Sequence, residues 1–287
     1  MNTSANSIKH VSDTAFWMAT YRGMEGDRAD ALFRDPLAKV LAGDYGRRIS
    51  ASMKPYSQYA YWTLVIRTCV IDELLSHYLG QGCQTVINIG AGLDTRPYRL
   101  ELPRNTRWIE IDFPDVIAFK QEKLAGETPC CELQRLGVDL SNHAERQALF
   151  HDLNERLGPA IILTEGVIPY LTETQVGELA QDLHAQDNFK LWIGEYYSPS
   201  VYPRYQSEAF KKRLGNSPFQ FFPTDWFGFF RDRGWREKEV LYLYDEAEKL
   251  GRLFPLPWWV KLLGLFISKE KIRANTRVSA YIVYVKT

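Results

Sequence analysis

Thr85-Val86-Ile87-Asn88-Ile89-Gly90-Ala91-Gly92-Leu93-Asp94-Thr95-Arg96 is the stretch on which the fold turns. It opens as a short β-branched run and breaks into a Gly-x-Gly turn, the signature of a strand leading into a helix. Similar runs follow at Arg107–Asp112, more weakly at 133–138, and at Ala160–Thr164 and Phe189–Ile193. Helical patterns over 116–124, 143–157 and 174–185 separate them. Strands alternating with helices predict an α/β fold: a mainly parallel sheet with helices on both faces. Upstream, residues 11–80 read as helical. Asp35-Pro36 marks a helix start with Pro at its first position, and Leu64, Ile66, Val70, Ile71, Leu74, Leu75 and Tyr78 recur near helical spacing before Gly80 and Gly82. Downstream, a helix over 225–233 and strands over 240–243 and 278–285 complete the pattern. The expected organisation is an N-terminal helical cap (1–80), a core (81–195), an inserted lid (196–223) and a C-terminal completion of the core sheet (224–287).

Composition narrows the function classes. The 287 residues carry 35 Lys+Arg against 35 Asp+Glu, and this zero net charge argues against a general nucleic-acid binder, which needs a basic surface. The start, Met1 to His10, has no apolar core of a secretory signal. The most apolar stretch, 253–267, contains Pro255, Pro257 and Lys261 and is too short for a transmembrane segment. Its readings are a buried helix, a pocket wall, a dimer patch or a membrane-surface contact. Cys69, Cys83, Cys130 and Cys131 lack Cys-x-x-Cys spacing and the five His are scattered, so no metal is expected and a reducing cytoplasm suits the thiols. Nothing opposes a homo-oligomer. The excess is aromatic: 8 Trp, 16 Tyr and 15 Phe are more than a core requires, so part of them should line a pocket or lid.

The chemistry should sit at the Gly-x-Gly turn, because ligands of parallel sheets bind outside the carboxyl ends of the strands. Asp112 ends the next strand, 20 residues after Gly92, where a carboxylate accepts both hydroxyls of a ribose. Gly-x-Gly alone equally suits a tight strand-to-helix turn with no ligand; with Asp112 the expectation becomes an adenosine-bearing cofactor. A dinucleotide site carries a third glycine where this chain has Thr95. With Asp94 and Arg96 at the helix start, a zwitterionic amino-acid tail fits better than a pyrophosphate; the alternative for these two is a structural clamp, each pairing with the other under the turn.

Residues 86–100, Val-Ile-Asn-Ile-Gly-Ala-Gly-Leu-Asp-Thr-Arg-Pro-Tyr-Arg-Leu, resemble the first motif of the leucine carboxyl methyltransferase family, which includes bacterial polyketide carboxyl O-methyltransferases. Glu110-Ile111-Asp112-Phe113-Pro114 resembles its second motif, and Thr164-Glu165-Gly166-Val167-Ile168-Pro169-Tyr170-Leu171 its motif after the fourth strand. Thr14–Trp17 and Asp30–Ala38 resemble the N-terminal segment of the bacterial branch. The likeness covers about residues 12–195. It implies a class I, Rossmann-like, seven-stranded mostly parallel sheet and the cofactor S-adenosyl-L-methionine. It also implies roles. Gly90 and Gly92 approach the methionine part, and Asp112 takes the ribose. Asp139 with Leu140 meets the adenine, although Asp139 also suits a helix cap. Glu165 lies near the methionine ammonium or the cofactor centre. Arg67 pairs with the methionine carboxylate, unless it is a solvated helix charge, and Arg22 contributes from the N-terminal segment.

Methyl transfer from a sulfonium needs alignment and exclusion of water more than acid–base chemistry. The motifs contain no evident catalytic His, which favours an acceptor already ionised at neutral pH, a carboxylate. Tyr170, Tyr196, Tyr197, Tyr202 and Arg204 are the candidates for orienting it, each with lid packing as its bland alternative. The expectation is methyl-ester formation on a small-molecule acid, in secondary metabolism. Within the class, a phenol or a protein C-terminal carboxylate is the alternative acceptor. From other classes, a nicotinamide-dependent oxidoreductase would bind NAD in place of S-adenosyl-L-methionine, and a non-catalytic cofactor-binding protein would transfer nothing.

Overall fold

The computed structural model describes residues 11–53, 57–255 and 275–287. The apolar run 253–267 therefore lies outside the described residues from 256 onward, as does Met1–His10. Seven strands form one sheet: β1 Thr85–Ile89, β2 Arg107–Asp112, β3 Glu132–Gly137, β4 Ala160–Thr164, β5 Phe189–Tyr197, β6 Trp235–Tyr242 and β7 Ser279–Lys286. Their spatial order is β3-β2-β1-β4-β5-β7-β6. The first five pair in parallel, and β7 runs antiparallel to both β5 and β6. The chain reverses its direction of travel across the sheet between β1 and β4, so the site expected at that switch point lies above their carboxyl ends. Every residue of β1 and β4 is buried, which is why both read as mostly apolar runs without strict alternation, broken in β1 only by the buried Asn88. The edge strand β3 is half-exposed and polar, which is why its sequence signal is weak.

The helices are α1 Val11–Gly26, α2 Pro36–Ser52, α3 Ser57–Gly80, α4 Arg96–Arg99, α5 Pro114–Lys123, α6 His143–Arg156, α7 Glu173–His184, α8 Tyr202–Tyr205, α9 Glu208–Leu214, α10 Trp226–Arg231 and α11 Leu243–Lys249. On one face of the sheet, α3 sets Ile66, Val70, Leu74 and Tyr78 against Val86, Ile161, Ile193 and Val283. On the other, Phe150 of α6, Val176 and Leu179 of α7 and Phe230 of α10 cover Ile87, Ile162, Trp192 and Tyr284. Each such side chain contributes about 1.5–3 kcal/mol by leaving water. Asp35 caps α2 by accepting from Ala38 N, with Pro36 in the first turn as the sequence predicts. Gly46 lets α2 approach α1: a Cβ there would lie 2.7 Å from the Phe16 carbonyl oxygen. Ala19, Ala38, Leu41 and Ala42 then pack with Leu93, seating this helical pair on the Gly-x-Gly turn.

Two expectations shift. β5 runs on to Tyr197, so Tyr196 and Tyr197 are strand residues rather than the start of an insertion. After them come a 3-10 turn at Pro199–Val201, α8, α9 and an extended return. Gln220 N and Phe221 N donate to the Pro169 carbonyl at 2.7 and 3.3 Å, tying that return to the loop after β4. Leu214 of α9 packs with Trp17, Met53 and Leu64, joining the insertion to the N-terminal helices. The aromatic excess is also divided. Trp226, Phe229 and Phe230 sit in the sheet core with Trp192, Trp235 and Tyr284, while other rings of the insertion face a cavity.

Candidate active site

A cavity of about 430 Å³ opens over the carboxyl ends of β1, β2 and β4. Its floor is the Gly-x-Gly turn. Gly90 and Gly92 hold φ +66° and +46°, the left-handed region that other residues adopt only with strain. A Cβ on Gly90 would lie 2.5 Å from Val167 Cγ2, so the turn also depends on close contact with the loop after β4. The helix that follows, α4, has four residues. So short a helix has little macrodipole to offer a pyrophosphate, in line with the reading from Thr95.

Asp112 lines the cavity at the end of β2. Its Oδ2 accepts from Gly92 N at 2.6 Å and its Oδ1 from Phe113 N at 2.7 Å, and burial raises its pKa. Each oxygen keeps acceptor capacity for a hydroxyl. Asp139 and Leu140 line the cavity further along, after β3. Asp139 Oδ1 accepts from Ser141 N at 2.9 Å, while α6 is capped by Asn142, so Asp139 shapes an Asx turn and not the helix start. Sequence reasoning missed Arg146, which also lines the cavity. Its Nη1 donates to the Leu140 carbonyl at 2.9 Å and its Nε to Asp182 at 2.7 Å, fixing the Leu140 loop from α6. Among the many charges of α6 it carries no distinguishing signal.

Beneath the turn lies a balanced ionic network. Arg22 Nε donates to Asp35 Oδ2 at 2.9 Å and its Nη2 to the Leu93 carbonyl at 2.5 Å. Arg99 approaches Asp35 at 3.8 Å and bonds both oxygens of Asp72 at 2.7 and 2.9 Å. Arg96 reaches Asp72 at 2.6 Å, Asp94 at 3.0 Å and Glu165 at 2.7 Å. Arg67 Nε closes the chain 2.9 Å from Glu165 Oε1, as an ion pair without hydrogen-bond alignment. Four guanidinium groups thus face four carboxylates. Although burial opposes it, the arginines hold Asp94 and Glu165 below the usual carboxylate range, with Arg96 the largest such influence on each. Asp94 and Arg96 are therefore a clamp under the turn. Arg22 lines the cavity, but its named hydrogen bonds hold the turn.

The other half of the cavity is built by the N-terminal helices and the insertion. Trp17, Tyr59, Thr63, Arg67, Tyr170, Tyr197, Arg204, Tyr205, Phe210 and Phe219 line it. Arg204 is exposed at the rim, its guanidinium 5.0 Å from the centre of the Tyr59 ring. Burial raises the pKa values of Tyr170, Tyr197 and Tyr205, keeping these phenols protonated as donors. Tyr170, Tyr197 and Arg204 are thus brought together as the sequence suggests. Tyr202 is not. Its ring packs on Phe222 and its hydroxyl donates to the Pro223 carbonyl at 3.2 Å, because α8 turns it away from the cavity. Tyr196 does not line the cavity: its ring stacks on Phe227 and meets Trp226 edge-on. Tyr202→Phe is accordingly expected to leave acceptor KM unchanged while costing about 0.5–1.5 kcal/mol in urea unfolding, the net worth of one hydrogen bond. A raised KM would return Tyr202 to the site.

The family model for leucine carboxyl methyltransferase matches residues 15–184, more than half of the chain and all of the motifs around the turn. The chain belongs to the leucine carboxyl methyltransferase family. Among its relatives is a protein of Streptomyces avermitilis, 30% identical over 85% of this chain and 89% of the relative. Another is a protein of Streptomyces coelicolor, 29% identical over 80% and 87%. Both are named provisionally as S-adenosyl-L-methionine-dependent methyltransferases. The fold is shared with a crystal structure of a DUF574 family protein from S. avermitilis, at TM-score 0.59 and 12% identity over 96% of this chain and 97% of that one. This leucine carboxyl methyltransferase family member is an S-adenosyl-L-methionine-dependent methyltransferase with a Rossmann-like fold. Its cavity fits that cofactor: glycines leave the backbone open, Asp112 retains acceptor capacity, and Val138 and Leu140 supply an apolar strip. Among the described residues no helix is long and apolar enough to cross a membrane.

Proposed function

We propose that this enzyme converts a small, largely apolar carboxylic acid into its methyl ester, as a cytoplasmic step of secondary metabolism. One observation carries the reading. The half of the cavity away from the Gly-x-Gly turn offers phenol donors and arginine cations among aromatic rings, and among the described residues no His side chain lines it. Such a wall orients an anion that is already ionised, whereas a phenol with an ordinary pKa of about 10 calls for a base. S-adenosyl-L-methionine, when bound, supplies an activated methyl group on a sulfonium. The remaining work belongs to the chain. Asp112 takes the ribose hydroxyls, Asp139 and Leu140 the adenine, and Gly90 and Gly92 leave space for the methionine part. Glu165 faces the ammonium and Arg67 the methionine carboxylate. Arg22 supports the turn through Leu93. Tyr170, Tyr197 and Arg204 hold the acceptor, and the insertion excludes water. The free thiols of Cys69, Cys83, Cys130 and Cys131 suit a reducing compartment.

The test is transfer of labelled methyl from the cofactor to a panel of aromatic and aliphatic acids, set beside the matching phenols. Label that appears on the acids and is released by mild base supports the ester. Base-stable label on the phenols would overturn the reading in favour of an ether.

A further inference from the structure

Glu195 stands apart from the balanced network. It lies on β5, is 2% exposed, and does not line the cavity. Its Oε1 accepts from Val167 N at 3.0 Å, in the loop that touches Gly90, while its Oε2 is buried without a hydrogen-bond partner. The groups around it come from four elements: Arg67 of α3, Glu165 beyond β4 with Tyr170 in the turn that follows, Tyr281 and Tyr284 of β7 and its own neighbour Tyr197. Arg67 is already matched by Glu165. The four arginines and four carboxylates of the network cancel, so Glu195 is a fifth acid with no cation of its own. An isolated buried charge is costly, and such a group stays neutral until a cation arrives.

S-adenosyl-L-methionine is such a cation. Its sulfonium and ammonium against one carboxylate leave a net charge of +1, whereas S-adenosylhomocysteine, the product, has none. We infer that Glu195 is the residue that reads this charge difference, losing its proton to solvent when the sulfonium form binds and keeping it when the product occupies the cavity. Burial pushes the Glu195 carboxyl up to about 7, so the exchange falls in the working range of pH. The sign follows. A group that ionises more readily in the complex makes the complex tighter as pH rises. S-adenosyl-L-methionine should bind more tightly from pH 6 to pH 8, by about five-fold for one pKa unit of coupling, and the product should show little change. The charge on Glu195 then favours exchange of product for fresh cofactor. The inference rests on the cofactor and is independent of the acceptor.

Isothermal titration in buffers of different ionisation enthalpy counts the protons released on binding. The wild type should release about half a proton near pH 7 with S-adenosyl-L-methionine. Glu195→Gln should release fewer, because its amide oxygen still accepts from Val167 N while the charge is gone. The ligand's own amine contributes equally to both proteins. Equal release by the two proteins would overturn the inference. If the variant does not fold, the wild type decides alone. A ratio of S-adenosyl-L-methionine to S-adenosylhomocysteine affinity that stays constant from pH 6 to pH 8 rejects the inference, and one that rises about five-fold supports it.

Discussion

Arg96→Ala should cost about 3–5 kcal/mol of folding stability, the penalty for breaking a buried ion pair by removing one partner. The side chain is 2% exposed and touches Asp72, Asp94 and Glu165, so its loss strands acids from three separate segments. Asp72 keeps Arg99 and Glu165 keeps Arg67, but Asp94 keeps only Asn88 Nδ2, at 2.9 Å, among its named side-chain partners. A domain is typically stable by about 5–15 kcal/mol, so the effect should be plain in urea unfolding. The pH dependence has a definite sign. With Arg96 present, the depressed pKa of Asp94 adds stability above the unfolded-state value, which is lost as pH falls. Without it, Asp94 becomes a buried acid of raised pKa, more easily tolerated once protonated. The gap between wild type and variant should therefore narrow from pH 7 towards pH 5. Arg96→Lys should recover only part of the loss, since a point charge cannot reach three carboxylates in fork geometry. A deficit below about 1 kcal/mol, the level of an exposed pair, would mean that water and not Arg96 satisfies these acids.

Asp112→Ala should weaken cofactor binding by about 1.5–3 kcal/mol, or roughly 10- to 150-fold in Kd, the worth of hydrogen bonds to a charged group. Titration with S-adenosylhomocysteine measures it without turnover. Asp112 also receives Gly92 N and Phe113 N, so the alanine variant both removes the proposed ribose acceptor and loosens the turn. Asp112→Asn keeps the side-chain shape: its amide oxygen retains one backbone donor, its NH2 group leaves the other without an acceptor, and it lacks the carboxylate that would take two hydroxyls, so its stability should lie between those of the alanine variant and the wild type. An unchanged Kd in both variants would remove Asp112 from the ribose site.

These two residues differ in how far the sequence discloses them. Asp112 is legible because its neighbours are local. A β-branched run, a Gly-x-Gly turn and the next run ending in an acid place a carboxylate beside the turn through the regular geometry of a parallel pair, and β1 and β2 pair in register as that requires. Glu165 carries a similar signal, an acid at the end of the buried strand β4. Glu195 shows it too, after Leu191-Trp192-Ile193-Gly194, but the strand was expected to stop before it. Arg96 is visible in the sequence only as a charge beside Asp94. Its partners Asp72 and Glu165 lie 24 and 69 residues away.

The sequence by itself therefore determined the mainly parallel sheet, the turn and the acids at strand ends, because each is written in the spacing of residues close along the chain, and it pointed to the cofactor through motifs that resemble a known family. Only the tertiary structure decided which arginine meets which carboxylate, which aromatic rings fill the core and which face the cavity, and that Tyr202 turns away. Phe210 and Phe219 line the cavity while Phe221 and Phe230 are sealed in the core, although all come from one aromatic stretch of the chain. Aromatic residues of one composition serve either purpose. Their fate depends on how α8, α9 and α10 pack over the sheet, and a charge becomes a network member only when that packing removes its water.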